Sequence, residues 1–163
     1  RATSRGPWYY TVEAGKAVSD AIALGDARFA FELHGPNGFL RTFHEGAVAS
    51  GLDISTRYEA ADQSFVIHLA NRGTAPVTVI SRANLYSSET PRTVTIAAGS
   101  AAEDRWPIAE SAHWYDVSVS LREGEDFLRR FAGHIETGQA SMSDPALGRQ
   151  AELYISMVQS AAQ

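Results

Sequence analysis

The chain has 163 residues and a mass of 17.6 kDa, 44% of them hydrophobic and 20% charged, which excludes general disorder and fits one ordinary domain or two small ones. A net charge of -5, a pI near 5.5 and a single lysine, Lys16, exclude the basic footprint that nucleic acid or an anionic membrane surface requires. Having no cysteine, the chain can form neither a disulfide nor a thiolate metal site, and no apolar run approaches the ~18 residues of a membrane span.

In chain order, residues 9–13, 17–24, 29–33 and 39–44 read as four strands. The sequence HGPNG at 34–38 reads as a hairpin turn, because Asn37 and Gly38 both tolerate a positive φ. Alternation then becomes regular. Leu52, Ile54, Thr56 and Tyr58 point one way, and after a polar turn Phe65, Ile67 and Leu69 repeat the two-residue rhythm of a half-buried strand. Asn71, Arg72, Gly73 and Pro76 mark a corner, beyond which Val77, Val79 and Ser81 resume the pattern. Val94 and Ile96, a stretch through Trp106, then Tyr115, Val117, Val119 and Leu121, and finally 127–134 complete the series. About seven short strands separated by turn signals predict an all-β fold, an antiparallel immunoglobulin/fibronectin-like β-sandwich, over 46–137.

The tail, 138–163, differs. Ser143 or Asp144 as a cap, Pro145 in the first turn, and Leu147, Ala151, Tyr154, Ile155 and Val158 at helical spacing predict a short C-terminal helix, weakened by Gly148.

The sequence also repeats itself. PWYYTVEAGKAVSD from Pro7 aligns with PRTVTIAAGSAAED from Pro91, pairing Thr11 with Thr95, Gly15 with Gly99 and Asp20 with Asp104. After a short insertion FLRTF at 39–43 answers FLRRF at 127–131. Such self-similarity marks repeated structural units. Residues 46–137 form a complete copy and 1–45 match only the back half of one, with three strands missing. Half a sandwich exposes an apolar face and two unpaired edges, so 1–45 are expected to pair with a segment outside this sequence or with a symmetry mate. The chain opens on Arg1 rather than Met, which also predicts a preceding polypeptide.

No catalytic constellation is legible. The five histidines, His34, His44, His68, His113 and His134, stand singly, with no metal-ligand spacing, and no nucleophile elbow occurs. His134 and Glu136 lie two apart and could share a face with a third ligand, but ordinary strand-end polarity is the reading taken for them. No catalytic or metal residue is assigned, and no cofactor is expected for this chain. The candidates for binding or interdomain contact are Trp8, Tyr9, Tyr10, His34, Asn37, Arg41 and Arg129. Aromatic clusters such as Trp8–Tyr10 dip into lipid interfaces or stack on sugars; packing against a neighbour is the alternative. Arg41 and Arg129 recur at the same place in both copies. They would grip a phosphate or carboxylate on a neighbouring domain, or pair internally with the likewise recurring Asp20 and Asp104.

FAFELHGPNGFLRTF, the ANRGTAPVTV corner, WYDVSVS, FLRRFAGHIETG and SDPALG, in that order over 7–148, resemble the C-terminal region of bacterial phosphocholine-preferring phospholipases C, of the haemolytic and non-haemolytic types. In that family the region is two copies of a small domain behind a large catalytic domain similar to the alkaline and acid phosphatases. The one departure noted, Glu45 after the first FLR motif, touches only a turn. The resemblance implies a secreted or periplasmic parent that hydrolyses phosphatidylcholine, and in some members sphingomyelin, to phosphocholine and diacylglycerol or ceramide. None of the catalytic motifs occurs here, so the expected role is a non-catalytic accessory module. Its partners would be the upstream catalytic domain, the missing strands of the first copy, and a phospholipid surface or an export chaperone. A free-standing module for lipid head groups or carbohydrate, and an independent hydrolase, are the competing readings.

Overall fold

The computed structural model describes residues 7–21, 28–46, 50–124 and 126–146. Its elements are strands: β1 (Phe29–His34), β2 (Leu40–Glu45), β3 (Leu52–Glu59), β4 (Ser64–Asn71), β5 (Val77–Leu85), β6 (Arg92–Ile96), β7 (Ala101–Pro107), β8 (Trp114–Leu121) and β9 (Leu128–His134). They form two antiparallel sheets, one of six strands in the order β1-β2-β9-β8-β5-β6 and one of three in the order β3-β4-β7. The alternation in 52–134 thus becomes β3 to β9, each close to its predicted position.

The two sheets share one core, built from the apolar half of each alternating strand. Phe65, Ile67 and Leu69 of β4 face Tyr115, Val117 and Val119 of β8, with Trp106, Val79 and Phe131 closing the sides. Phe65 stacks on Tyr115 with ring centroids 4.1 Å apart. Deleting a ring so placed costs about 3–5 kcal/mol. The outer face of the smaller sheet is sealed differently. Val66 is fully buried although it points away from the core, because its register neighbours are Arg57 and Arg105. Those side chains reach Glu103, Arg57 at 2.7 Å and Arg105 at 3.2 Å, so their stems lie across the strand while their heads stay wet.

Asn71 holds the predicted corner. Its buried amide donates to the carbonyls of Ala75 (2.8 Å) and Ile96 (3.1 Å) and accepts from the Gly73 N–H at 2.9 Å, while its backbone exchanges bonds with Gly99 and Ser100. One side chain therefore ties the end of β4 to the β6–β7 turn.

Two expectations for the first copy need correction. Residues 9–13 and the described part of 17–24 form no strand, since none of the described strands runs beside them; β6 and β7, at the aligned positions, exist by pairing with β5 and β4. Only the connecting turn survives. The Lys16 N–H bonds to the Glu13 carbonyl (3.0 Å) with Gly15 at φ 74°, as the Ser100 N–H bonds to the Ala97 carbonyl (3.1 Å) with Gly99 at φ 69°. Nor do both edges of the 29–45 hairpin await an outside partner, because β2 pairs with β9 of the same chain. The hairpin turn is as predicted, with Asn37 at φ 54° and Gly38 at φ 66°. Most of the expected C-terminal helix lies outside the described residues; within them, the Asp144 carboxylate accepts the Ala146 N–H at 2.8 Å.

Candidate functional site

The seam between β2 and β9 is where the repeated motifs meet. The register opposes Thr42 to Arg130, Arg41 to Phe131 and Phe43 to Arg129. FLRTF and FLRRF therefore lie antiparallel about a local two-fold through Thr42 and Arg130, each residue facing the counterpart of its mirror position. The two arginines obey the same symmetry. Arg41 Nη1 donates to the carbonyls of Leu40 (2.8 Å) and Ala132 (2.9 Å), and these two residues face each other across the seam. Arg129 Nη1 donates to the carbonyls of Leu128 (3.1 Å) and His44, which also face each other. Each guanidinium sits 4.3 Å from the ring of the Phe two residues before it, Phe39 or Phe127. The repeated F-L-R is thus a clasp that binds carbonyls on both sides of one strand pair.

The symmetry ends at the outer nitrogens. Arg41 Nη2 donates to the Tyr115 hydroxyl at 2.9 Å, whereas Arg129 Nη2 pairs with the Glu45 carboxylate. That ion pair is shielded, with side chains 12% and 10% exposed. Burial pushes the Glu45 carboxyl up, but the Ser50 N–H at 2.8 Å and the Arg129 guanidinium outweigh it and hold its pKa below the usual carboxylate value. Neither arginine meets the aspartate expected for it. Asp104 lies on β7 in the other sheet, where it accepts from Arg92 (2.7 Å), Trp106 Nε1 (2.7 Å) and Ser81 (2.5 Å). Asp20 accepts the Tyr10 hydroxyl, which raises the Tyr10 pKa and lowers that of Asp20.

From the seam residue Arg130, an ion pair to a buried acid crosses from β9 to β8. Arg130 grips Asp116 in a fork, Nε to Oδ1 and Nη2 to Oδ2, and Asn84 donates to the same carboxylate at 2.8 Å. A register shift between Ala83 and Leu85 lets the Asn84 side chain span Asp116 and Ser118.

At one end of the seam Trp114 joins three segments. Gly38 of the β1–β2 turn lies so close that a Cβ there would be 2.9 Å from the indole. The indole N–H donates to the Met142 carbonyl at 3.0 Å, and the ring stands 4.8 Å from His134 and 6.0 Å from Tyr86. Tyr86 donates to Asp144 at 2.6 Å; burial first, then that bond, push its hydroxyl pKa up. The tail after β9 is thereby strapped to the sheet.

Of the candidates from sequence, the structure gathers Arg41 and Arg129 at the seam and sets Asn37 beside it, donating to Glu136 at 2.7 Å. His134 Nδ1 lies 3.3 Å from the same Glu136, but among the described residues no group of three His, Asp or Glu could hold a metal ion. His34 is exposed and lies 3.2 Å from Glu32. Trp8, Tyr9 and Tyr10 are 49%, 88% and 43% exposed, on the unpaired 7–21 segment. Trp114, Tyr86 and Asp116 are not among those candidates, and Glu45, expected to touch only a turn, ends β2 and pairs with Arg129.

Comparison with known proteins places this geometry. A family model for the bacterial phospholipase C C-terminal domain matches residues 1–44 and again 52–134. The chain is 41% identical over 150 residues to a non-hemolytic phospholipase C of Burkholderia pseudomallei, covering 87% of this chain and 21% of that protein. It is 38% identical over 152 residues to a non-hemolytic phospholipase C of Pseudomonas aeruginosa and 35% identical over 161 residues to that organism's hemolytic phospholipase C, covering 22% of each. The chain spans about a fifth of the length of these relatives.

Proposed function

The chain belongs to the family of bacterial phospholipase C C-terminal domains, and from that premise we propose that it is a non-catalytic accessory module of a secreted phospholipase C. The hydrolysis of phosphatidylcholine, and of sphingomyelin where the parent accepts it, to phosphocholine and diacylglycerol or ceramide belongs to a catalytic domain upstream. The module packs on that domain and helps it engage lipid or reach an export chaperone. We read 46–137 as one complete sandwich of immunoglobulin/fibronectin type, 1–45 as the back half of a preceding copy, and 138–163 as a tail. The strand order of the two sheets, together with the shared turn at Gly15 and Gly99, supports that division.

The observation that carries the accessory reading is the double match to a C-terminal domain model in a chain covering a fifth of its relatives. The use of the recurring arginines agrees with it, since both guanidinia are spent on main-chain carbonyls and internal partners and neither is left to stabilise a phosphoryl group. A second reading, a binding module for lipid head groups or carbohydrate, draws on the exposed Trp8, Tyr9 and Tyr10. Assay of the purified chain separates these. No turnover of a chromogenic phosphocholine ester or of phosphatidylcholine vesicles is expected, and measurable turnover overturns the accessory reading. Co-sedimentation of the chain alone with phosphatidylcholine liposomes, abolished by Trp8→Ala with Tyr9→Ala, would move the assignment to the second.

A further inference from the structure

The seam fixes which residues of the two hairpins correspond. Phe43 pairs with Phe31 as Phe131 pairs with Val117, and the registers on either side make Phe29, Phe31 and Leu33 of β1 the counterparts of Tyr115, Val117 and Val119 of β8. In β8 those positions are at most 5% exposed. In β1 Leu33 is 47% exposed, while Phe29, Phe31 and, across the hairpin, Phe43 are only half-buried. The rings cluster, Phe29 to Phe31 at 5.7 Å and Phe31 to Phe43 at 4.8 Å, and among the described residues no strand of the smaller sheet is paired with β1 or β2.

The edges differ in the same way. β8 carries β5 on the side away from β9, with Ala83 opposite Val117 and Ser81 opposite Val119. β1 is the end of its sheet among the described residues. Finally, 8–13 and 17–20, aligned with β6 and β7, lie without strand partners among the described residues and carry the exposed Trp8, Tyr10, Val12 and Val18. In the aligned copy β6 rests on β5 and β7 on β4.

We propose that one occupant meets all of these unmet contacts: a β3-β4-β5-like unit from the polypeptide upstream of residue 7. Its last strand pairs antiparallel along the free edge of β1, and its middle strand covers the Phe29–Phe31–Phe43 face. This rests on the reading of 1–45 as the back half of a sandwich copy. It adds the edge, the register and the side-chain sizes: residues no larger than Ser or Ala stand opposite Phe31 and Leu33, as Ala83 and Ser81 stand opposite their counterparts. The relatives, nearly five times the length of the matched stretch, have chain to supply it. Continuity with the β2–β9 seam then makes one unbroken sheet through both copies. An exposed apolar edge strand left uncovered is otherwise an aggregation template.

The chain carries its own probe. Residues 52–90 copied in front of Pro7 recreate, at the aligned Pro91 junction, the connection that exists in the second copy. A second graft with Ile67→Ala in the copied segment allows for the bulkier Phe31, so that a steric misfit is not mistaken for failure. Hydrogen exchange on the full chain with and without the grafts reads the outcome. Amides of 29–34 are expected to slow at least about ten-fold in one or both grafts, with a blue shift of Trp8 emission and a monomer by sedimentation. Unchanged exchange at 29–34 in both grafts overturns the proposal, as does an ungrafted dimer that Phe31→Lys dissociates, which would assign the edge to a second copy of this chain. Failure of the underlying reading looks different: amides of 40–45 would then exchange freely in the ungrafted chain, because β2 would not be seated on β9.

Discussion

Arg130 holds Asp116 through two hydrogen bonds, Nε to Oδ1 at 2.8 Å and Nη2 to Oδ2 at 2.6 Å, at the residue about which the β2–β9 register is mirrored. The acid is nearly inaccessible, its side chain 1% exposed. Register makes Ala30 and Thr42 the first-copy counterparts of Asp116 and Arg130, so the pair exists once and the two-fold never opposes arginine to arginine. Removing the cation leaves a buried carboxylate with the Asn84 amide as its remaining side-chain donor. Arg130→Ala is expected to cost about 1–3 kcal/mol in urea unfolding, and the double change Arg130→Ala, Asp116→Ala less than the sum of the two. Additive losses would show that the pair does not act as a unit.

The clasp predicts that charge alone is insufficient at Arg41. A lysine cannot reach two carbonyls and the Tyr115 hydroxyl from one planar group. Arg41→Lys is expected to destabilise by about 1–3 kcal/mol and to accelerate exchange of the β2 amides more than those of β4. Equal acceleration in both strands would mean that Arg41 supports the whole fold and not the seam.

For Glu45 the sign of the pH effect follows from its direction. Its folded pKa lies below the ordinary 4.5, so the unfolded chain takes up a proton first as pH falls. The stabilisation is present above the unfolded pKa and is lost as pH drops from there through the folded value. Glu45→Gln should lower the unfolding midpoint at pH 7 and leave a shallower acid limb below pH ~4.5. Parallel acid limbs for the two proteins would count against the pair with Arg129.

Tyr86 acts at the other extreme. Its folded pKa is raised above the ordinary 10.0, so the contribution is intact below that value and declines as pH rises beyond it, where the unfolded phenol ionises first. Tyr86→Phe removes the bond to Asp144 and should flatten the alkaline loss of stability measured above pH ~10. A steep loss retained in the variant would place its origin elsewhere.

Gly38 is constrained twice, by φ 66° and by the Trp114 ring 2.9 Å from where a Cβ would stand. Gly38→Ala should cost about 1–2 kcal/mol from backbone strain alone and further perturb the indole environment, visible in near-UV circular dichroism. Gly15 has the same sign of φ with open space around it, so Gly15→Ala should leave that signal unchanged.

The strands from 52 to 134 were legible because burial on one face writes a two-residue period into the sequence, and the Asn37–Gly38 turn because few residues accept its dihedrals. Residues 9–20 carry the same local signal and yet form no strand, since a strand is made by its neighbour as much as by its own residues. The seam was half legible. Repetition of FLR announced that Arg41 and Arg129 share a task, but which carbonyls they bind depends on register, and spacing along the chain says nothing about that. Glu45, read as a harmless turn residue, became the partner of Arg129 because it and Ser50 flank the short passage to β3. Tyr86, Trp114 and Asp144 meet only through long-range folding, beyond the reach of any local pattern.

The unequal widths of the two sheets have a mechanical consequence. Among the described residues the 29–45 hairpin is a cantilever, hydrogen-bonded along one side to β9 and with no strand of the three-stranded sheet paired to it. A load pulling the hairpin away in the plane of the sheet would unzip the β2–β9 bonds one at a time, whereas β8 and β4 would have to shear past interlocked rings. The two guanidinium clasps are the rivets of that joint, and tension applied to the hairpin would be felt there before it reached the main core.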